Sequence, residues 1–320
     1  MGSLSRVWSA RWGRWLRLAF LVAVLVFGGL FVGRRWHDVL AALSRLSVLP
    51  LVGAFILATL GSCMSMMSWR TLLAGYGFPL PLRLVSRAFF LGQLGKYIPG
   101  SVWSVVAQAE LGHDQRVPRP VSVTSSIVSV AQAVFTGVLF GVLLLPLGLP
   151  DLVTHYWWVA LVIPVYVVVL QPPVVSVVTR AVFRLTRRDP PRRTLGYRRM
   201  SASLGWTMLA WLLLGLHAWL LAVGLGGSAA RLLPVSVGAF ALAYSVGLVF
   251  VVAPAGAGVR EAVFTVLVGS LVGVGQAIVV ALLSRVMLAI VDFGLAGGQA
   301  VWNSRLERRV ADAVRHRNHP

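Results

Sequence analysis

Residues 93–103 of the chain read QLGKYIPGSVW, and residues 253–261 read APAGAGVRE. In both stretches proline and glycine interrupt an apolar region, which predicts a helix that breaks within the membrane and a new helix just after it. A broken helix leaves backbone N–H groups that must face protein, water or a ligand. The new helix begins with a partial positive charge, to which Lys96 or Arg260 adds a full one. Each break is therefore a candidate site for an anionic group such as a lipid phosphate, unless it is a kink that only shapes the bundle.

The composition places these breaks in an integral membrane protein. Of the 320 residues, 58% are hydrophobic and 12% are charged, whereas soluble domains contain about 25% charged residues. A soluble fold could not cover so much apolar surface, and the same composition excludes a disordered chain. The net charge of +20 comes from arginines beside the apolar runs, which is typical of the cytoplasmic flanks of membrane spans rather than of a nucleic-acid binder. The single cysteine, Cys63, excludes an intrachain disulfide.

The apolar runs predict an all-α, polytopic transmembrane bundle with about 7–9 spans, since a span needs about 20 mostly apolar residues. Two further regions are weaker. Residues 84–112 are interrupted by Arg87, Gln93 and Lys96, and residues 262–275 are short for an upright span. We therefore expect broken or re-entrant helices near residues 84–112 and 253–275. The strong candidate spans are 16–33, 49–68, 121–147, 157–179, 203–223, 233–253 and 276–302.

The basic segments predict the orientation of the bundle. Eight arginines crowd residues 180–199 against a single Asp189, and positively charged loops stay on the cytoplasmic side. We expect a cytoplasmic basic N-terminus at residues 1–15, a transmembrane domain at 16–303 with the cytoplasmic loop 180–199, and a cytoplasmic basic tail at 304–320, in a multi-pass protein of the cell membrane. With this orientation, residues 84–112 either cross twice as short helices or form a re-entrant pair, and residues 233–275 cross twice.

Ionisable residues at membrane depth are the main functional candidates, because each costs about 2.5–3.5 kcal/mol to insert and needs a partner or a wet cavity. Arg285 and Asp292 are seven residues apart and so lie on one face of the last helix. They could pair across helices with Glu110, Lys96 or Glu261. The alternative is a buried ion pair that only fixes the packing. The candidates are Lys96, Glu110, Arg260, Glu261, Arg285 and Asp292.

The two motifs resemble those of a known family. KYIPGSVW at residues 96–103 and APAGAGVREA at residues 253–262 are similar to paired signatures of the flippase-like membrane domain of lysylphosphatidylglycerol synthases, and the resemblance covers nearly the whole chain, from about Arg14 to Asn303. It implies an all-helical bundle that moves a phospholipid or a lipid-linked headgroup between leaflets. The motif residues that the resemblance assigns to substrate binding are Lys96, Pro99, Gly100, Pro254, Gly256, Gly258, Arg260 and Glu261.

In the full-length synthases of that family, a cytoplasmic domain attaches lysine to phosphatidylglycerol and the membrane domain moves the product. Only eighteen residues follow Trp302, so we expect this chain to lack the aminoacyl-transfer domain and to carry the translocation half alone.

The sequence therefore predicts a membrane protein that translocates a phospholipid or a lipid-linked anionic headgroup, with Arg285 and Asp292 added to the substrate-binding residues. We expect no enzymatic activity, no catalytic residue, no metal and no cofactor. The expected partners are the anionic lipid substrate and the surrounding membrane lipids, without nucleic acid, and the chain could also self-associate. Two alternatives remain open: a membrane-embedded transferase acting on lipid-linked sugars, and a non-catalytic partner that recruits cytoplasmic enzymes through residues 180–199.

Overall fold

The computed structural model describes residues 47–97, 103–151, 158, 161–185, 190–191, 193–227, 229–250 and 256–318. These residues form α-helices, one 3₁₀ turn at Leu94–Tyr97 and short connections, and no β-strand lies among them. The predicted all-α class is confirmed. The helices are α1 Val48–Gly75, α2 Leu82–Gln93, α3 Trp103–His113, α4 Arg119–Gly148, α5 Val162–Val169, α6 Pro172–Leu185, α7 Tyr197–Gly224, α8 Ala229–Val249, α9 Val259–Val272 and α10 Val274–Asn318.

Five of these helices are long and apolar enough to cross a membrane: α1, α4, α7, α8 and the part of α10 up to Trp302. A sixth candidate is the pair of α5 and α6, which together cover one predicted span but bend by 70° where they meet. The predicted first span, at residues 16–33, lies outside the described residues. The full count of seven to nine spans stays a prediction.

The long helices pack in pairs through small residues. Helix α1 packs along α7, and α4 packs along α8. A Cβ atom added to Gly61 would lie 2.7 Å from the Cγ atom of Leu214 on α7, and one added to Gly141 would lie 3.0 Å from the Cβ atom of Leu242 on α8. The absence of a side chain therefore lets these helix backbones approach closely, as small residues do in membrane helix interfaces.

Two short helices, α2 and α3, form an antiparallel pair at the first motif. Gly92 faces Gln108, and Gly95 lies so close to the start of α3 that an added Cβ atom would be 2.6 Å from the backbone nitrogen of Ser104. Each helix has at most 12 residues and is therefore about 18 Å long at most, whereas the hydrocarbon core is about 30 Å thick. These lengths favour a re-entrant pair over two upright crossings.

The described part of the second motif, residues 256–261, contains a turn followed by the start of α9. Gly256 and Gly258 have φ angles of +67° and +84°, a left-handed conformation that glycine adopts at little cost. A Cβ atom on Gly256 would also lie 2.8 Å from the Cα atom of Gly247 on α8. Gly256 thus lets the turn before α9 lie against the end of α8. Helix α9 has 14 residues and ends at Val272, and after Gly273 the chain continues as α10 from Val274, so the predicted short helix is present.

Candidate functional site

The two helix breaks meet at one cavity inside the bundle. A space of about 70 Å³ lies between the 3₁₀ turn, the start of α9 and the middle of α10, with α1 and α2 on its other sides. Three of its lining residues are cations that come from different elements. They are Lys96 of the 3₁₀ turn, Arg260 of α9 and Arg285 of α10.

The cation of the first break is neutralised by α10. The Nζ atom of Lys96 lies 2.7 Å from Oδ2 of Asp292, whose side chain is only 7% exposed. The hydroxyl of Tyr97 donates a hydrogen bond of 2.6 Å to the same oxygen, and its ring stacks on Phe293 with 5.4 Å between the centroids. Two consecutive residues of the 3₁₀ turn therefore attach the first break to one carboxylate of α10.

Glu261, the acid of the second break, accepts hydrogen bonds from two groups of the protein. Glu261 accepts a 2.5 Å hydrogen bond from Arg285 through Oε1. Its other oxygen, Oε2, accepts a 2.7 Å hydrogen bond from the backbone N–H of Gly258, which caps the start of α9. We expected an external anion at this positively charged helix terminus. The carboxylate of Glu261 already occupies part of it.

Arg260 is held by aromatic rings instead of by an acid. Its Cζ atom lies 3.8 Å from the centroid of Tyr244 and 5.7 Å from that of Phe240, both on α8. Such cation–π contacts hold a guanidinium without using its N–H donors. Gly247 leaves space for the side chain of Arg260, since a Cβ atom added to Gly247 would overlap the Cγ atom of Arg260. Among the residues that the structure describes, no carboxylate lies within ion-pair distance of Arg260.

The charges around the cavity do not cancel. Among the residues that the structure describes, the three cations Lys96, Arg260 and Arg285 lie near two carboxylates, Asp292 and Glu261, so the cations of this lining exceed its acids by one formal charge. In a space with low-dielectric walls, such an excess attracts an anion more strongly than it would in water. A guanidinium carries several N–H donors, which are suited to a phosphate or a carboxylate.

The predicted site residues divide into three groups. The structure brings Lys96, Arg260, Arg285 and Asp292 to the cavity and places Glu261 directly beside it. Gly256 lines an adjoining cavity, and Gly258 begins α9. The remaining predicted residues, Pro99, Gly100 and Pro254, lie outside the described residues.

Of the three possible partners that the sequence offers to Arg285 and Asp292, Glu110 does not pair with either, and it lines none of these cavities. Its side chain is 57% exposed and lies 2.7 Å from the guanidinium of Arg119, at the turn between α3 and α4. The hydrogen bonds from Arg119 lower the pKa of Glu110 below its ordinary value. Glu110 therefore pairs with Arg119, nine residues further along the chain, and both side chains remain exposed. The other two predicted partners of the α10 residues, Lys96 and Glu261, do form ion pairs.

Sequence reasoning missed the aromatic and amide groups of the site. A second cavity of about 190 Å³ adjoins the first and shares Gln93, Lys96 and Tyr244 with it. Gln93 carried a signal, since it interrupts an apolar segment, and Tyr97 directly follows the lysine of the first motif. Tyr244 carried none, because an aromatic residue in an apolar helix is usual whether it faces lipid, core or cavity.

Comparison with known proteins places the whole arrangement in a family. No curated protein sequence matches the chain. The family model described as lysylphosphatidylglycerol synthase TM region matches residues 14–296, which include both motifs, every helix from α1 to α9 and about the first half of α10. Together with the five apolar helices long enough to span, this match makes the chain a multi-pass membrane protein with a lipid-related role. The chain belongs to the family of lysylphosphatidylglycerol synthase transmembrane regions.

Proposed function

We propose that this protein moves a phospholipid or a lipid-linked anionic headgroup between the leaflets of the cell membrane, with its N- and C-termini in the cytoplasm. One observation carries the proposal. The cavity at the two helix breaks holds an excess positive charge, and its Arg260 is bound by aromatic rings rather than by a carboxylate. A cation without a carboxylate partner inside an apolar bundle carries a free-energy cost unless an anion or water binds to it.

The geometry supports a path in which the headgroup enters the bundle and the acyl chains remain in lipid. The helices are already interrupted where the headgroup would pass, so little backbone rearrangement is needed. The guanidinium of Arg260 offers paired N–H donors to a phosphate. Lys96 and Arg285, each held by a carboxylate, shape the field around that phosphate without competing for it.

The proposal assigns no bond-making step to the chain. The two carboxylates near the cavity, Asp292 and Glu261, are each engaged by a cation and by a second donor. A carboxylate held in this way is a poor general base, because its ion pair stabilises the charged form. We therefore expect transport of the lipid without chemical change.

The experiment is a leaflet-exposure assay in proteoliposomes that contain a fluorescent phosphatidylglycerol. Wild-type protein is expected to expose the inner-leaflet lipid to an external quencher faster than empty vesicles do. Arg260→Gln removes the charge and should slow this exposure by about tenfold or more, as the loss of one charge-assisted contact costs about 1.5–3 kcal/mol. The matched control is Arg231→Gln, since Arg231 is exposed at the start of α8 and does not line these cavities.

Two results would count against the proposal. One is wild-type protein that moves none of several anionic lipids faster than empty vesicles. The other is an Arg260→Gln variant as fast as Arg231→Gln, which would separate the cavity from the transport.

A further inference from the structure

A further cavity shares no lining residue with the cavities at the helix breaks. It has a volume of about 140 Å³ and lies between α4, α5 and α6. Helix α5 packs against α4, and α6 then bends away from the direction of α5 by 70°. The three helices thus enclose a gap that their own side chains do not fill.

The lining of this gap is apolar. Eight of its ten lining residues are apolar, and the other two are Thr124 and Thr179. The hydroxyl of Thr124 donates to the carbonyl of Pro120 at 2.8 Å, and the hydroxyl of Thr179 is hydrogen-bonded to Tyr76, just after α1. Because both hydroxyls already have a partner, the lining favours an apolar occupant over water. Apolar cavities of about 150 Å³ stay dry and bind apolar molecules.

The gap is open to the surroundings of the bundle. Ile127 of α4 and Val178 of α6 both line it, and they are 52% and 55% exposed. Helix α4 is long and apolar enough to cross the membrane, and it rises by about 12 Å between its start at Arg119 and Ile127. The medium at this opening is therefore lipid, and an acyl chain reaches the gap without passing through protein.

Two arginines lie beside the gap on α6. Arg180 follows the lining residue Thr179, and Arg184 follows the lining residue Phe183. Both arginines are exposed, and Nε of Arg180 donates to the carbonyl of Ser176 at 3.2 Å, which folds the side chain back along the helix. In the part of the chain that the structure describes, neither makes an ion pair. Arginines near the end of a membrane helix extend to the surface, where they attract anionic lipids.

We infer that this gap is a lipid site separate from the proposed transport path. One acyl chain of an anionic phospholipid lies between α4, α5 and α6, and its phosphate lies at Arg180 and Arg184. The apolar lining fits the hydrocarbon chain, and the two cations complement the negative charge. The site goes beyond the proposed function, because a lipid that fills a gap between helices is retained and is not moved between leaflets.

The test is photolabelling of the full chain in phosphatidylcholine vesicles with lipids that carry a diazirine in one acyl chain. The two probes share this chain and differ in charge: phosphatidylmethanol is anionic and phosphatidylcholine is zwitterionic. Labelled residues are mapped by mass spectrometry of peptides. Ile290 of α10 is the internal reference, because it is 56% exposed, nearly as Ile127 is, but lines none of these cavities.

We expect the anionic probe to label Ile127 about tenfold more than Ile290, because two arginines attract it to the site. The zwitterionic probe should label the two isoleucines nearly equally. Arg180→Gln should reduce the ratio of anionic to zwitterionic labelling at Ile127 by about threefold, since one of the two cations is lost. Arg231→Gln is the control, because Arg231 is exposed at the start of α8 and does not line this gap.

The position of the acyl chain is tested with Val178→Trp. The larger side chain fills the opening, so the labelling of Ile127 should fall to that of Ile290. Val177→Trp is the matched control, because Val177 is 57% exposed on the same helix but does not line the gap, and it should leave the excess at Ile127 unchanged. An excess that survives Val178→Trp would contradict the placement of the chain.

The inference is overturned if the anionic probe labels Ile127 of the wild type no more than Ile290. Labelling below that of Ile290 would mean that residues 16–33 or a second copy of the chain covers the gap, and it would overturn the inference equally. An excess of the same size with both probes would contradict the placement of the phosphate at the arginines. Arg260→Gln should leave the labelling of Ile127 unchanged, so this site and the proposed transport path can fail separately.

Discussion

The two helix breaks contain the same kinds of residue but use them differently. At the first break, Lys96 is paired with Asp292 of α10 at 2.7 Å. At the second break, the neighbouring acid Glu261 is bound by Arg285 and by a backbone N–H, and Arg260 lies on the ring of Tyr244. The first cation therefore joins two elements through an ion pair, whereas the second lies on an aromatic ring without a carboxylate partner among the described residues.

This difference shows that a cation in a membrane helix break is not by itself a binding site. A cation whose charge is cancelled by a buried acid can hold the break in position, because separating the pair would leave a charge in a poorly hydrated place. A cation held by an aromatic ring keeps both its charge and its N–H donors. We therefore propose that Lys96 holds the first break in position and that Arg260 takes part in recognition of the lipid.

The largest expected effect is on the stability of the first break. Asp292→Asn leaves Lys96 without its counter-ion and should lower the free energy of unfolding by about 3 kcal/mol, at the lower end for a buried pair because the Lys96 side chain is 22% exposed. Lys96→Met leaves Asp292 unpaired and should cost a similar amount. The double variant removes both charges and should recover most of the loss. The measurement is a double-mutant cycle of unfolding in detergent.

An additive cycle, in which the double variant loses the sum of the two single losses, would show that Lys96 and Asp292 do not depend on each other. The contrast with Arg260 would then disappear. Arg260→Gln in the same assay is expected to unfold nearly as the wild type does, because no buried carboxylate of the described residues is left unpaired by it.

The sequence predicted which residues meet at the cavity better than how they pair. Lys96, Arg260, Arg285 and Asp292 could be singled out because an ionisable residue in an apolar segment needs compensation. Their partners could be narrowed to a short set, but the choice between Glu261 and Glu110 for Arg285 depends on how α3, α9 and α10 pack. The local sequence does not show that Glu110 pairs with Arg119 at the turn between α3 and α4.

A second prediction concerns the backbone of the second break. Gly256→Ala places a side chain at φ +67° and brings its Cβ atom to 2.8 Å from the backbone of Gly247. We expect a loss of about 2 kcal/mol, from the left-handed conformation and the overlap together. Gly226→Ala is the matched control, because Gly226 has φ +94° but open space around it. The difference between the two unfolding midpoints measures the close approach of α8 to this turn.

If Gly226→Ala and Gly256→Ala lower stability equally, the close approach contributes nothing and the second motif needs its glycine for the turn alone. If Gly256→Ala also slows lipid exposure while Gly226→Ala does not, the turn positions Arg260, whose side chain passes Gly247. This result would sharpen the contrast with the first break, where position depends on an ion pair.

The fold was predictable to the level of helix type and approximate extent. The spans at 121–147 and 203–223 correspond to α4 and α7, because long apolar runs between polar segments have few other solutions in a membrane. The bend of 70° between α5 and α6 was not predicted. Gln171, Pro172 and Pro173 mark it in the sequence, but they lie within a run apolar enough to be read as one straight helix.

The smallest effect is expected from the third ion pair, between Glu110 and Arg119. Both side chains are more than half exposed, and exposed pairs contribute little because water and salt screen them. Glu110→Gln should therefore change neither the unfolding midpoint nor the rate of lipid exposure beyond measurement error, and Arg119→Gln should behave alike. A clear loss of transport in either variant would mean that the surface turn between α3 and α4 attracts the lipid before the cavity does. The distinction between the two breaks would then describe only the later part of the path.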